Sequence, residues 1–277
     1  MTIGAECELI PPAQLLYESN RSYSEQASWR NNQEKRDYWL GVVATADHTQ
    51  LEPRVFDAAL CLRADVYIDE LKWLPESSRT VDGREIDPHD EHSTHLAMVD
   101  TRLSQENNPF VFANVRYIHR RGDVDFLPVE EEFGLSLGDP LEERVELSRF
   151  ISRHPNKQTR ALGSIALASH TVGMLNRLDM NGYAIMERSL VRRLLSMGMS
   201  VETLTEPKPL EDYGGTINYG VRIDGAESLN RANYIASRRG DFPFNRFYDI
   251  ATNGSNLELV DAIYDYLTVR GKSNKAA

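Results

Sequence analysis

The chain has 277 residues, 41% of them hydrophobic, and 31 Lys and Arg stand against 42 Asp and Glu, for a formal net charge of −11. That is enough apolar material for one large domain, or one domain with an extension, and its sign argues against a general nucleic-acid binder. Cys7 and Cys61 show no metal spacing, no apolar run approaches the roughly 20 residues of a membrane span, and the acidic opening "MTIGAECELIPPAQ" lacks the basic start of a signal peptide, so a cytoplasmic protein is expected.

Residues 1–37 are polar and read as a loosely packed helical arm. "YWLGVVATA" (38–46) predicts a strand. Pro53 opens a helix whose periodicity runs from Val55 to Leu71, with Phe56, Leu60 and Tyr67 on one stripe. After a loop rich in Pro, Gly and Ser, "STHLAMVD" (93–100) and "FVFANVRYI" (110–118) predict two strands, and "FLPVEEEFGL" a turn. "VELSRF" (145–150) predicts another strand. Gly163 to Leu178 predicts a helix stopped by Asn181-Gly182, "GYAIM" a buried strand, and "ERSLVRRLLSMGM" an amphipathic helix closed by Gly198. In "TINYGVRI" (216–223) Ile217, Tyr219, Val221 and Ile223 are expected inward, and Thr216, Asn218 and Arg222 outward. Residues 225–277 read as a helical extension with "NLELVDAIYDYL" as an apolar face suited to oligomerisation. The order implies an α/β chain with one mixed, mostly antiparallel sheet flanked by helices.

Charges interrupt this pattern where packing alone would choose leucine. Arg63 falls on the apolar helical stripe, Arg116 in an apolar strand, and Glu146 and Arg149 in "VELSRF". Strict alternation would put Val145, Leu147 and Arg149 on one face and Glu146, Ser148 and Phe150 on the other. Buried charges must be paired. Asp87 and Asp90 in "EIDPHD" are the natural partners, which leaves a structural ion-pair network or a site for a charged, hydrogen-bonding small molecule.

Taken together, "LRADVYIDELKW", "EIDPHD", the strand ending "VRYI" near "LPVE", and "VELSRF" resemble the acyl-homoserine lactone synthases. They are similar also to the N-acyl amino acid synthases and to the acyltransferases linked to bacterial protein-sorting systems. The resemblance covers about residues 38–224. It implies the GNAT acyltransferase fold for 38–224, between the arm of 1–37 and the extension of 225–277. Arg63, Tyr67 and Trp73 match the family's R…F…W, with Tyr67 where phenylalanine is usual. Asp87 and Asp90 match its D-x-x-D loop, Arg116 its third-strand arginine, and Glu146, Ser148 and Arg149 its E-x-S-R-F element. The R-L-L-P-T that usually follows is altered here to "RYIHRRGDVDFLPVE".

The resemblance implies an N-acyltransferase with Glu146 as the base that takes the amine proton. Arg63, Tyr67, Trp73, Asp87, Asp90, Arg116, Ser148 and Arg149 would form the substrate site, with Arg149 holding Asp87 or Asp90. Backbone N–H groups between Leu147 and Ile151 would meet the thioester oxyanion. In "SRHPNKQTRALG", Arg153, Lys157 and Arg160 gather at a helix start suited to the donor's phosphate. The glycine-rich acetyl-CoA loop is missing, which favours an acyl carrier protein as donor, with acyl-CoA as the other choice. A medium or long acyl chain is expected to lie beside the helix from Gly163, along Met174 and Leu178. No cofactor is implied. "HDEHSTH" holds His89, His92 and His95, but the run passes from loop to strand, so the rings should diverge and no metal is expected. The competing reading is a catalytically silent GNAT-like domain that binds an acylated carrier.

Overall fold

The computed structural model describes residues 39–45, 53–100, 102–105, 108–119, 126–140 and 143–239. The arm of 1–37 and the apolar face in "NLELVDAIYDYL" lie outside them. In chain order the elements are β1 (Trp39–Thr45), α1 (Pro53–Ala64), β2 (Ser93–Asp100), β3 (Val111–His119), α2 (Pro128–Phe133), β4 (Arg144–Ser152), α3 (Lys157–Leu178), β5 (Asn181–Glu187), α4 (Arg188–Ser196), β6 (Ser200–Thr203), β7 (Lys208–Leu210), β8 (Thr216–Asp224) and α5 (Gly225–Arg239). The α1 helix continues into a wider π-helical turn over Asp65–Glu70.

One eight-stranded sheet runs β1-β2-β3-β4-β5-β8-β6, with β7 also pairing β8. Every pairing is antiparallel except β4 with β5. That parallel pair spans only three positions, Arg144 to Glu146 opposite Asn181 to Tyr183. Beyond Glu146, β4 stays with β3 while β5 stays with β8, so the sheet parts into a V. Helix α1 covers β1, β2 and β3 on one face, while α3 covers β3, β4 and β8 on the other. Phe112, Val115, Leu147, Leu167, Val172 and Leu175 form the main core, each buried aliphatic side chain stabilising it by about 1.5–3 kcal/mol. A second cluster under α1 joins Val55, Ala59, Leu62, Ala97, Val99 and Ile151.

Several sequence expectations need correction. Helix α3 starts six residues before Gly163, and its end is Asp179 in a left-handed conformation (φ 53°), not Asn181-Gly182, which already belong to β5. "FLPVEEEFGL" contains the short helix α2 rather than a plain turn. On β8, Ile217 is exposed and Asn218 is buried, the reverse of the alternation expected. The strand lies inside the sheet, and Asn218 meets its polar demand by donating to the carbonyl and hydroxyl of Thr216.

Candidate active site

Three arginines converge beneath α1. Arg63, on the buried stripe of α1, donates to Glu85 and to Asp90. Arg116 of β3 donates to Asp87 at 2.6 Å, Asp90 at 2.9 Å and the Ser148 hydroxyl at 2.8 Å. Arg149 of β4 donates to Glu85 at 3.0 Å and Asp87 at 2.9 Å. The carboxylates come from one loop whose geometry is locally determined. Asp87 caps the turn Pro88–His92 by accepting from the His89 N–H, and Asp90 reaches back to the Asp87 N–H. Burial alone would raise the Asp87 carboxyl, but Arg116 and Arg149 outweigh it and hold it down to about 2. Asp90 is likewise held low, against its own burial, by its bond to His95 and by Arg63 and Arg116. His95 is fully buried against Asp90 and the Phe56 ring. Burial pushes its imidazole toward the neutral form despite Asp90.

Arg149 corrects the strict alternation of "VELSRF". Asn114 pairs with Ile151 and Arg116 with Ser148, so β4 carries one extra residue at this step. Arg149 sits in this bulge with φ 55°. The left-handed turn brings it to the network that Arg116 and Ser148 share, so it serves the same side as Ser148 and not the opposite one. Its guanidinium lies 5.0 Å over the Tyr67 ring. Its Nε–H is buried and has no partner among the described residues.

Glu146 is 1% exposed. Its carboxylate accepts the Val129 N–H of α2 at 2.8 Å, among Ile118, Leu127 and Tyr183. Burial pushes its carboxyl up to about 8, against the pull of the Val129 N–H and Arg116 toward the charged form. The neighbouring Glu130 is matched by Arg144 at 3.0 Å.

A cavity of about 330 Å³ opens in the V. Leu147 to Ser152 of β4 with Arg153 just beyond it, Ile185 to Glu187 of β5, and Leu190, Arg193 and Leu194 of α4 line it, and Tyr67, Trp73 and Tyr213 close one end. Tyr67 and Trp73 stack with ring centres 5.6 Å apart, and Tyr213 leans on Trp73 at 6.2 Å. The turn carrying Tyr213 touches Trp73 closely: a Cβ on Gly214 (φ 61°) would stand 2.6 Å from the indole. The cavity has Arg160 and Thr171 of α3 on its wall, as expected of the helix, but Gly163 itself does not line it. There α3 presses onto β3 and β4, and a Cβ would meet Ser152 and Phe112 at 2.6 and 2.8 Å. Met174 belongs to the packed core and Leu178 packs against it, while Met186 and Met199 reach the cavity instead.

At the mouth, the sequence-predicted basic group divides. Arg153 is tied to Asp65 at 3.2 Å and Glu70 at 2.8 Å. Lys157 is exposed at the first residue of α3. Arg160, one helical turn into α3, lines the opening together with Arg193, which donates to Ser164 at 3.1 Å. Sequence reasoning had not singled out Glu85, Tyr213 or Arg193. Glu85 was legible, two residues before Asp87 and hence on the same side of an extended stretch. Tyr213 and Arg193 carry no local signal, because only the return of β8 and the turn into α4 bring them in.

No family model matches the sequence, and no curated protein aligns with it. Solved structures do: the chain shares the GNAT-like fold of the acyl-homoserine lactone synthases. It is similar to BjaI, a CoA-dependent acyl-homoserine lactone synthase solved with SAM and isopentyl-CoA, at TM-score 0.55 and 21% identity over 73% of this chain and 90% of that one. TofI, in a ternary complex with an inhibitor and MTA, aligns at TM-score 0.52 and 18% identity over 69% and 95%. The CoA-dependent acyl-homoserine lactone synthase MesI aligns at 0.51 and 15% over 72% and 96%.

Proposed function

We propose that the protein is an N-acyltransferase. It moves a medium or long fatty acyl group from the thioester of an acyl carrier protein or acyl-CoA to the amine of an amino acid or related small molecule. The product is an N-acyl amino acid or an acyl-homoserine-lactone-like amide. The observation that carries this reading is the parting of β4 from β5 directly after Glu146, which sets a carboxyl with an upshifted pKa behind a partly apolar cavity of about 330 Å³.

The donor's pantetheine arm lies along the free edge of β4, like an added strand. Its thioester carbonyl meets backbone N–H groups of the bulge at Arg149 and Phe150. The ammonium of the acceptor gives its proton to Glu146, through a water or the Ser148 hydroxyl, since Glu146 itself stands behind the cavity wall. The nitrogen then attacks the carbonyl carbon, the C–S bond breaks, and the thiolate leaves and takes up a proton. Arg160 and Arg193 receive the donor's phosphate at the first turn of α3, with Lys157 beside them, while Arg153 braces the end of α1. Incubating the purified protein with acyl carrier protein or acyl-CoA donors and a pool of amines, with products read by mass, tests the reading. New acyl amides support it; thioester that stays intact with every acceptor contradicts it and leaves a silent binding domain.

A further inference from the structure

Helix α1 covers a row of buried polar groups whose hydrogen bonds are incomplete. On β3, Asn114 lies opposite Ala97 of β2 and Ile151 of β4. Both belong to the apolar cluster under α1, so the Asn114 side chain points to that face as well. It is fully buried, and neither its amide nitrogen nor its amide oxygen has a partner among the described residues. Packed interiors seldom keep such a group unmet. Two further orphans lie on the same face. Arg149 stands in the bulge between Ser148, opposite Arg116, and Ile151, opposite Asn114, and its buried Nε–H is unpartnered. His95 of β2 lies opposite Arg116. Its neutral ring turns Nε2 to Asp90 at 3.3 Å, which leaves the buried Nδ1 as an acceptor without a donor. The set is complementary: Arg149 Nε–H and Asn114 Nδ2–H donate, while Asn114 Oδ1 and His95 Nδ1 accept. None bonds another directly. A buried water needs roughly 2–4 such partners, and this layer offers them beside the small side chains of Ala59 and Ala97.

We propose that Asn114 is a positioning residue: through a buried water it holds the Nε–H of Arg149, and with it the left-handed turn of β4 that aims the bulge N–H groups at the thioester oxyanion. This rests on reading the bulge as the oxyanion site of an acyltransferase. A residue with a side chain keeps a φ of 55° only under restraint. Glu85 and Asp87 hold the far tip of the guanidinium, at Nη2. The water and Asn114 hold its near end, at Nε, so the backbone of Arg149 cannot swing while the tip stays in place.

The test replaces Asn114 with leucine, close in size and suited to the neighbouring Val99 and Ile151. Asn114→Leu should melt at or above the parent temperature, because no buried amide remains to be met. Its kcat for acyl-amide formation should nevertheless fall roughly 10–100-fold with both KM values little changed, since misplacing a reacting group by about 1 Å can cost on the order of 10². Asn114→Ser, which keeps a hydroxyl able to donate and accept, should recover part of that loss. A crystal structure of the parent should show an ordered water within reach of Arg149 Nε and Asn114 Oδ1, and that of Asn114→Leu should show the φ of Arg149 moved. Full kcat in Asn114→Leu, or a kcat that falls only as the melting temperature falls, overturns the inference. So does a dry interior around Asn114. If the water is present and the bulge relaxes in Asn114→Leu, but neither protein acylates any amine, the enzymatic reading alone fails.

Discussion

Arg63 and Arg116 are buried and Arg149 is partly so, yet all three are paired, and the pairing fixes what their loss should do. Arg149→Ala leaves Glu85 with Arg63 and Asp87 with Arg116, one charged hydrogen bond fewer for each, so the variant should lose about 1.5–3 kcal/mol in denaturant unfolding. Arg149→Lys should recover only part, since an ammonium cannot reach both carboxylates with a rigid fork. Two carboxyls then give opposite pH signatures. Asp87, ordinarily near 3.8, is held at about 2. Its contribution is present above 3.8 and is lost as pH falls toward 2. Glu146 runs the other way. Its carboxyl is raised from 4.5 to about 8, so the folded state holds the proton more tightly and loses stability as pH rises from 4.5 to 8. Glu146→Gln should therefore gain on the parent across that window, by about 1–4 kcal/mol. Urea midpoints taken at pH 5 and pH 8 check this, and a constant difference between the two proteins would contradict it.

At the level of elements, packing of α3 on the sheet depends on Gly163. Gly163→Ala should overpack the contact with Ser152 and Phe112 and cost about 1–3 kcal/mol, read as a lower urea midpoint. The strands and helices bearing the site were legible because each carries a clear period: Phe56, Leu60, Arg63 and Tyr67 on α1, and "VELSRF" on β4. The charges inside those periods were legible as anomalies for the same reason. What escaped depends on tertiary context. The bulge that turns Arg149 is invisible in alternation, since nothing in "VELSRF" marks the extra residue. The burial of Asn218 follows from β8 lying inside the sheet. The liners of the cavity were placed too far along α3: Arg160 and Thr171 face it, whereas Met174 belongs to the core and Leu178 packs against it. At Gly163 itself α3 packs down onto the strands, and the cavity opens where β4 parts from β5, with α3 still on its wall.

Over the whole molecule, a chain of net charge −11 places cationic side chains, Arg160 and Arg193, where the V opens. Reversing both to glutamate should raise the donor KM several-fold and flatten its salt dependence while changing kcat little, because neither side chain belongs to the Arg63, Arg116 and Arg149 cluster. An unchanged donor KM would remove the phosphate from this mouth. The claim on which the rest hangs is that the proton of the amine goes to Glu146. The direct measurement is the pH profile of acyl-amide formation at saturating donor, for the parent protein and for Glu146→Gln. The parent rate should rise with pH to a plateau, with an apparent pKa near 8, the value to which burial raises Glu146. Glu146→Gln should fold, lose roughly 10²–10⁴ in kcat and lose that inflection. A variant that keeps full turnover with the same inflection would show that the proton leaves by another route.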